Sequence, residues 1–109
     1  MKRLSVKLGR EIYEFPDGKI RLINWREVAP MELGNWAGLH GKMETQLVVC
    51  RETMGSKQTV MGRSVFFPGA FHDPHCHLCA EEFIYCLKGK AVAGVGSREF
   101  LFTPGDVQF

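Results

Sequence analysis

The second half of the chain consists of short runs of β-branched and aromatic residues that glycine or proline separates from one another. These runs occupy residues 46–50, 59–61, 64–67, 82–87 and 99–102. Runs of this length, with no helical periodicity between them, are typical of antiparallel all-β folds. The pattern predicts an all-β sandwich or small barrel from Thr45 onward.

The N-terminal part has a different pattern, in which turn-forming residues interrupt short apolar stretches. No long helix fits there, and Pro30 ends the one short helical segment, which is predicted around Trp25. We therefore expect an N-terminal extension over residues 1–44 and a β-barrel over residues 45–109. Trp25 and Trp36 are expected to be apolar anchors that hold the extension on the barrel.

One hairpin is predicted in detail. Residues 82–87 are expected to pair with residues 90–95 across a tight turn, because Gly89 can adopt the positive φ that such a turn requires. Strand alternation places Glu82, Ile84 and Cys86 on one face. The opposite face carries Phe83, Tyr85 and Leu87. Both faces are apolar apart from Glu82, so we expect the extension or a second subunit to cover the outer face, and a homodimer is favoured.

Imidazole and carboxylate side chains are concentrated just before this predicted hairpin. His75 and His77 are two positions apart, and on an extended segment both rings would point to the same side, as binding of one metal ion requires. Residues 78–80 can turn the chain and bring Glu82 to the same point. Two histidines and one carboxylate leave coordination positions free for water, substrate or dioxygen, as in redox-active Fe(II) sites.

The spacing of these residues resembles the first motif of the cupin superfamily. That motif is a glycine, five residues, H-x-H, three or four residues, a glutamate, six residues and a second glycine. Its positions are filled by Gly69, His75, His77, Glu82 and Gly89. The resemblance implies a small antiparallel β-barrel of the jelly-roll type that holds one divalent metal ion through His75, His77 and Glu82.

The second cupin motif, which supplies a further histidine, is represented only by its opening. Gly105 matches the first glycine, and the sequence ends four residues later at Phe109. The resemblance therefore implies an incomplete barrel that lacks its C-terminal strands. We expect the sequence to be part of a longer chain or to be completed by a partner subunit, because soluble proteins avoid unpaired strand edges.

Composition narrows the class of protein and its partners. With 109 residues, 45% of them hydrophobic and 24% charged, the chain is typical of a soluble globular protein. A net charge of +2 is too small to suggest a nucleic-acid-binding protein. No apolar run resembles a signal peptide or a membrane span, so we expect a cytoplasmic protein that does not contact membranes.

The four cysteines, Cys50, Cys76, Cys79 and Cys86, are unevenly spaced and are expected to be reduced. Cys76 and Cys79 form a C-x-x-C pattern, which occurs in thiol redox pairs and in zinc sites. Neither the strand-to-helix context of a redox pair nor a second pair of zinc ligands accompanies it. We therefore expect these cysteines to be small buried hydrophobic residues.

The cupin resemblance implies several activities, and the ligand set favours one of them. Two histidines and a carboxylate favour a dioxygenase-type oxidoreductase acting on a small organic molecule, with Fe²⁺ preferred and Zn²⁺, Mn²⁺ or Ni²⁺ as alternatives. Glu82 is also expected to move a proton, and Ile84 and Cys86 are expected to line the substrate side of the site. The alternatives are a cupin isomerase and a non-catalytic module that binds a small ligand or senses a metal.

Overall fold

The computed structural model describes the backbone of residues 2–7, 10–31 and 36–109, and the side chains of residues 14–31 and 36–109. Within these residues the chain is mostly β, and its paired strands are antiparallel. The all-β prediction is confirmed. The described strands form one three-stranded sheet and four two-stranded pairs, and they do not close into a barrel.

The chain divides into two compact units, Met1–His72 and Asp73–Phe109. The boundary predicted after residue 44 falls inside a strand of the first unit, Met43–Val49, and it stays a prediction. The strands of the first unit are β1 (Lys2–Lys7), β2 (Arg10–Phe15), β3 (Gly18–Ile23), β4 (Leu39–His40), β5 (Met43–Val49), β6 (Met61–Phe66) and β7 (Phe71–His72), and its helix is α1 (Arg51–Met54).

The N-terminal sheet is a meander in the order β1-β2-β3, with a register shift between Arg3 and Ser5. It is followed by a short 3-10 helix over Trp25–Glu27, in which the Asn24 side chain accepts a hydrogen bond from the Arg26 amide at 3.0 Å. The short helical segment predicted around Trp25 is therefore confirmed as a single 3-10 turn. It ends before Pro30, as proline requires.

Gln46 links this 3-10 turn to the β5–β6 pair. Its buried side-chain amide donates hydrogen bonds to the carbonyl oxygens of Trp25 at 3.0 Å and Val28 at 2.7 Å, and its Oε1 accepts one from Arg63 at 3.2 Å. The Arg63 guanidinium also lies 3.8 Å from the centre of the Trp25 ring. Trp25 is thus an anchor of the N-terminal region, whereas Trp36 is exposed and the same expectation is wrong for it.

The β5–β6 pair carries the buried core of the first unit. Among the described residues of this unit, the buried side chains are those of Met43, Gln46 and Val48 on β5 and of Cys50 directly after it. The strands are joined through α1, which ends at Gly55 with a φ of 68°. A hydrogen bond between Glu52 and its own backbone amide, aided by the Cys50 side chain, lowers the pKa of this exposed carboxyl below its ordinary value.

The second unit contains β8 (Ile84–Tyr85), β9 (Ala91–Val95), β10 (Arg98–Phe102) and β11 (Val107–Gln108). The predicted pairing of residues 82–87 with residues 90–95 is wrong. Gly89 does have a positive φ of 80°, but β9 pairs with β10 across a turn at Gly96, and β8 pairs with β11. The chain after Gly89 therefore forms its own hairpin instead of returning along β8.

Gly41 lies at a close approach between the segments that carry β4 and β7. Its φ is +82°, and a Cβ atom there would lie 2.8 Å from the Ala70 Cα. We expect Gly41→Ala to lower the free energy of unfolding by about 2–4 kcal/mol, because it adds a clash with backbone to the strain of the left-handed conformation.

Gly69→Ala is the matched control for this prediction. Gly69 has a φ of +86°, but no atom lies within 4 Å of the Cβ that alanine would add. Its cost should be only the backbone strain of about 1–2 kcal/mol. Urea unfolding of both variants measures the difference, and equal losses of stability would contradict the close approach at Gly41.

Candidate metal centre

The candidate ligands lie in the segment between β7 and β8. This segment bends at Pro74 and turns at Leu78 and Cys79, and it contains no strand. The rings of His75 and His77 are perpendicular, with their centres 5.3 Å apart. The two imidazoles therefore lie close together, as their spacing in the sequence predicts.

Glu82 lies close to the two histidines and contacts one of them. Its Oε2 lies 3.1 Å from His77 Nε2, and both side chains are about half exposed. One ligand atom from each of His75, His77 and Glu82 can be chosen so that all three lie within 4.8 Å of one another. The structure thus brings together the three residues that the sequence singles out as ligands.

The donor set fits a first-row transition metal. Metal–ligand distances of about 2.0–2.2 Å for imidazole nitrogen and carboxylate oxygen place neighbouring ligand atoms roughly 3 Å apart. The contact between His77 and Glu82 already has this separation, at 3.1 Å. The side chains are exposed and can rotate, so the cluster needs only a small contraction to surround one ion. A set of imidazole nitrogens and one carboxylate suits Fe, Mn, Ni or Zn. Ca²⁺ and Mg²⁺ prefer sites in which all ligands are oxygen atoms.

His75 also has a contact with the backbone of the same loop. Its Nδ1 lies 3.1 Å from the backbone carbonyl oxygen of Asp73. Metal-binding histidines commonly make such a contact through the nitrogen that does not bind the metal, because it orients the ring. The sequence analysis missed this role of Asp73, although the Asp-Pro pair just before His75 was a usable signal, since proline restricts the backbone on both sides.

Glu82 is placed by the strand that follows it. Two residues further along, Ile84 and Tyr85 of β8 pair with Gln108 and Val107 of β11. The pairing is extended at Cys86, whose amide donates to the Asp106 carbonyl and whose carbonyl accepts from the Gly105 amide, both at 3.0 Å. The strand thus begins after Glu82, whereas the sequence predicted that Glu82 would open it.

The turn before β11 is held by Asp106. Its Oδ2 accepts hydrogen bonds from the Thr103 amide at 2.8 Å and from the Thr103 hydroxyl at 3.0 Å. The left-handed conformation of Gly105, with a φ of 92°, completes the turn. Sequence reasoning missed this function of Asp106, although a Thr-Pro-Gly-Asp run is a recognisable turn signal.

Ile84 and Cys86 were predicted to line the substrate side of the site. Ile84 is exposed in β8, and its partner there is Gln108. Cys86 is half-buried, and its thiol lies 3.8 Å from the Lys88 carbonyl oxygen and 3.9 Å from that of Gly89. The thiol therefore contacts the turn that follows β8. The substrate-binding role of the two residues stays a prediction.

The cysteines of the C-x-x-C pattern are not buried. Cys76 and Cys79 are exposed free thiols, and only Cys50 among the four is buried. The expectation of buried side chains at Cys76 and Cys79 is wrong because both lie in the loop that carries the histidines. Neither residue belongs to a strand of the described chain.

The other two histidines lie in the first unit. The His40 ring stacks on Phe71 with the ring centres 4.6 Å apart, and the His72 ring lies 4.9 Å from that of Phe66. Both residues belong to the β4–β7 pair, where Leu39 lies opposite His72. They are not among the residues of the candidate metal cluster.

In the parts of the chain that the structure describes, no helix combines the length and the apolar character needed to cross a membrane. No protein-family model, no curated protein and no solved structure matches the chain.

Proposed function

We propose that the chain is a metal-dependent enzyme of the cupin type, and that it acts on a small organic molecule as a dioxygenase-type oxidoreductase. One observation carries the proposal: ligand atoms of His75, His77 and Glu82 lie within 4.8 Å of one another, in residues that have the spacing of the first cupin motif. The antiparallel, β-rich structure on either side of this motif is compatible with a jelly-roll barrel.

The ligand set supports a redox-active ion. Two imidazoles and one carboxylate on one side of an ion leave its remaining positions open, and bound Fe²⁺ would supply one-electron chemistry toward dioxygen there. His75 and His77 would hold this ion as neutral imidazoles and Glu82 as a carboxylate. Zn²⁺, Mn²⁺ and Ni²⁺ fit the same donors and are the alternatives.

Glu82 has a second role in the proposal, that of a proton carrier. Its Oε2 lies 3.1 Å from His77 Nε2. A carboxylate that is about half exposed can accept a proton from a bound substrate and release it to water. Ile84, two residues further along, offers an exposed apolar side chain on which a small organic substrate can pack.

The metal site can be tested with two double variants that each remove two histidines. We expect His75→Ala with His77→Ala to weaken binding of Fe²⁺ or Zn²⁺ by more than about 100-fold, because loss of even an indirect partner of a ligand costs 10–100-fold. His40→Ala with His72→Ala should bind normally, since neither residue belongs to the cluster. Calorimetric titration of the purified, metal-free protein under anaerobic conditions measures both affinities. Full metal content in the first variant would exclude this site.

Turnover can be tested by loading the same protein with different metals. The Fe²⁺-loaded protein should consume dioxygen with a small aromatic or carboxylated substrate, and Glu82→Gln should reduce the rate at saturating metal by about 10²-fold or more if Glu82 carries a proton. An oxygen electrode measures the uptake.

Other outcomes of this experiment identify the alternatives. Turnover with Zn²⁺ but not with Fe²⁺ would favour the isomerase, since zinc acts as a Lewis acid without redox chemistry. A ligand that raises the melting temperature without turnover under either metal would favour the binding or sensing module.

We also propose that the chain forms a homodimer through the exposed apolar side chains in and beside β8. In this segment Phe83, Tyr85 and Leu87 are 70%, 52% and 71% exposed. Val107 lies opposite Tyr85 and is also exposed, so the apolar surface continues onto β11. A face without charge that each copy presents can pack on itself about a two-fold axis, which removes both copies of it from water at once.

Charge substitution on the two faces of β8 tests the dimer. We expect Tyr85→Lys to convert the dimer to a monomer, whereas Ile84→Lys, on the opposite face of the same strand, should leave it dimeric. Light scattering coupled to size exclusion measures the mass. A wild-type chain that elutes as a stable monomer of 12.3 kDa would overturn the proposal.

A further inference from the structure

Cys76 and Cys79 are two exposed free thiols with only two residues between them. The chain turns at Leu78 and Cys79, so it changes direction between the two thiols. A disulfide needs the Cα atoms of its cysteines about 4.4–6.8 Å apart, and residues three positions apart reach such separations in a turn. The spacing and the exposure of these thiols therefore suit an intramolecular disulfide.

The loop that carries the two cysteines can accept the ring that a disulfide would close. Residues 73–83 are all exposed, and none of them belongs to a strand or a helix. Leu78, between the cysteines, is 93% exposed, so a change of backbone direction there removes little packing. Because β7 ends before this loop and β8 begins after it, closing the ring breaks no strand pairing.

His77 is the candidate ligand that the ring would enclose. It lies between Cys76 and Cys79, and its Nε2 is 3.1 Å from Glu82 Oε2 while both thiols are free. A cross-link that spans only two residues limits the backbone conformations of both. The arrangement that brings the three candidate ligands within 4.8 Å of one another is thus the arrangement of the thiol form.

We propose that Cys76 and Cys79 are a redox modification site, which forms a reversible disulfide and thereby lowers the affinity of the neighbouring ligands for a metal ion. The effect on metal binding rests on the proposed function. The disulfide is a property of the chain alone and can be measured without any ion.

The oxidant in this step is a small disulfide such as oxidised glutathione. The thiolate of one cysteine attacks a glutathione sulfur and releases one glutathione, and the second cysteine then attacks the mixed disulfide and releases the other. One sulfur–sulfur bond forms in the protein as one breaks in the oxidant. The two cysteines lose two electrons and two protons, which the two departing glutathione molecules take up. Reduced glutathione reverses the step.

The other two cysteines are less accessible to such an oxidant. Cys50 is buried, and Cys86 is half-buried with its thiol 3.8 Å from the Lys88 carbonyl oxygen. Since thiol–disulfide exchange depends on access to the sulfur, we expect both to react more slowly than Cys76 and Cys79.

The first experiment counts thiols in the metal-free wild-type protein. The reduced chain is equilibrated with oxidised glutathione, quenched with acid, unfolded and alkylated, and its mass is measured. We expect two of the four thiols to escape alkylation without any bound glutathione, and Cys86→Ser to lose two thiols in the same way.

Single variants of the pair identify the partners. Cys76→Ser and Cys79→Ser should each retain one glutathione as a mixed disulfide, because the second thiol that would release it is missing. A wild-type chain that keeps four alkylated thiols, or that carries only mixed or intermolecular disulfides, would overturn the proposal.

The second experiment compares metal binding by the two redox forms. Oxidised and reduced protein, both freed of glutathione, are titrated with Zn²⁺ by calorimetry under anaerobic conditions. We expect the oxidised form to bind about tenfold more weakly or worse, as when the orientation of a ligand is lost. Equal affinities would overturn the proposal.

A double variant, Cys76→Ser with Cys79→Ser, separates ring closure from the loss of thiol ligands. It cannot form the disulfide, and the candidate metal cluster does not include either cysteine. It should therefore bind Zn²⁺ as tightly as the reduced wild type, with or without prior treatment with oxidised glutathione. Binding as weak as that of the oxidised wild type would show that the thiols are themselves ligands and would overturn the proposal.

The two readouts distinguish the failure of this proposal from the failure of the proposed function. A chain that forms the disulfide but binds no metal in either form would remove the metal site and its regulation and leave the modification site. A chain that binds metal but never forms the disulfide would do the opposite.

Discussion

The candidate site depends on the pairing of β8 with β11. His75 and His77 are brought together by their spacing along one short loop, and Glu82 lies two residues before β8, whose pairing with β11 holds the chain beside it. The hydrogen bonds at Cys86 extend this pairing, and the Asp106 side chain fixes the turn that leads into β11. Two of the three ligands thus lie in a local motif, and the third lies beside a long-range strand pair.

This division explains what the sequence could predict of the site. The proximity of His75 and His77 is a short-range property, and residue spacing alone was sufficient for it. The partner of β8 is a long-range property. Gly89 and Gly96 both adopt the positive φ of a tight turn, at 80° and 61°, so turn chemistry permits a hairpin at either position. The choice between them depends on which strands satisfy each other's hydrogen bonds, and local sequence does not contain that information.

The same limit applies to burial. Residue type predicted that Cys76 and Cys79 would be buried, but a loop exposes whatever it carries. Conversely, Gln46 is a polar residue in the buried row of β5, where alternation would place an apolar one. It is tolerated because its amide and its carbonyl oxygen all have partners. A sequence pattern reflects the average free-energy cost of burying a given residue type. Hydrogen-bond partners from distant parts of the chain lower that cost at a particular position, as they do at Gln46.

Gln46 also changes where sequence variation is allowed in the first unit. It binds the 3-10 turn only through the carbonyl oxygens of Trp25 and Val28, which every residue type possesses. In these two hydrogen bonds the strand supplies the side chain and the turn supplies only backbone oxygens, while the Trp25 ring adds its separate contact with Arg63. Position 28 can change its side chain without loss of these hydrogen bonds, whereas position 46 must keep a primary amide of the right length.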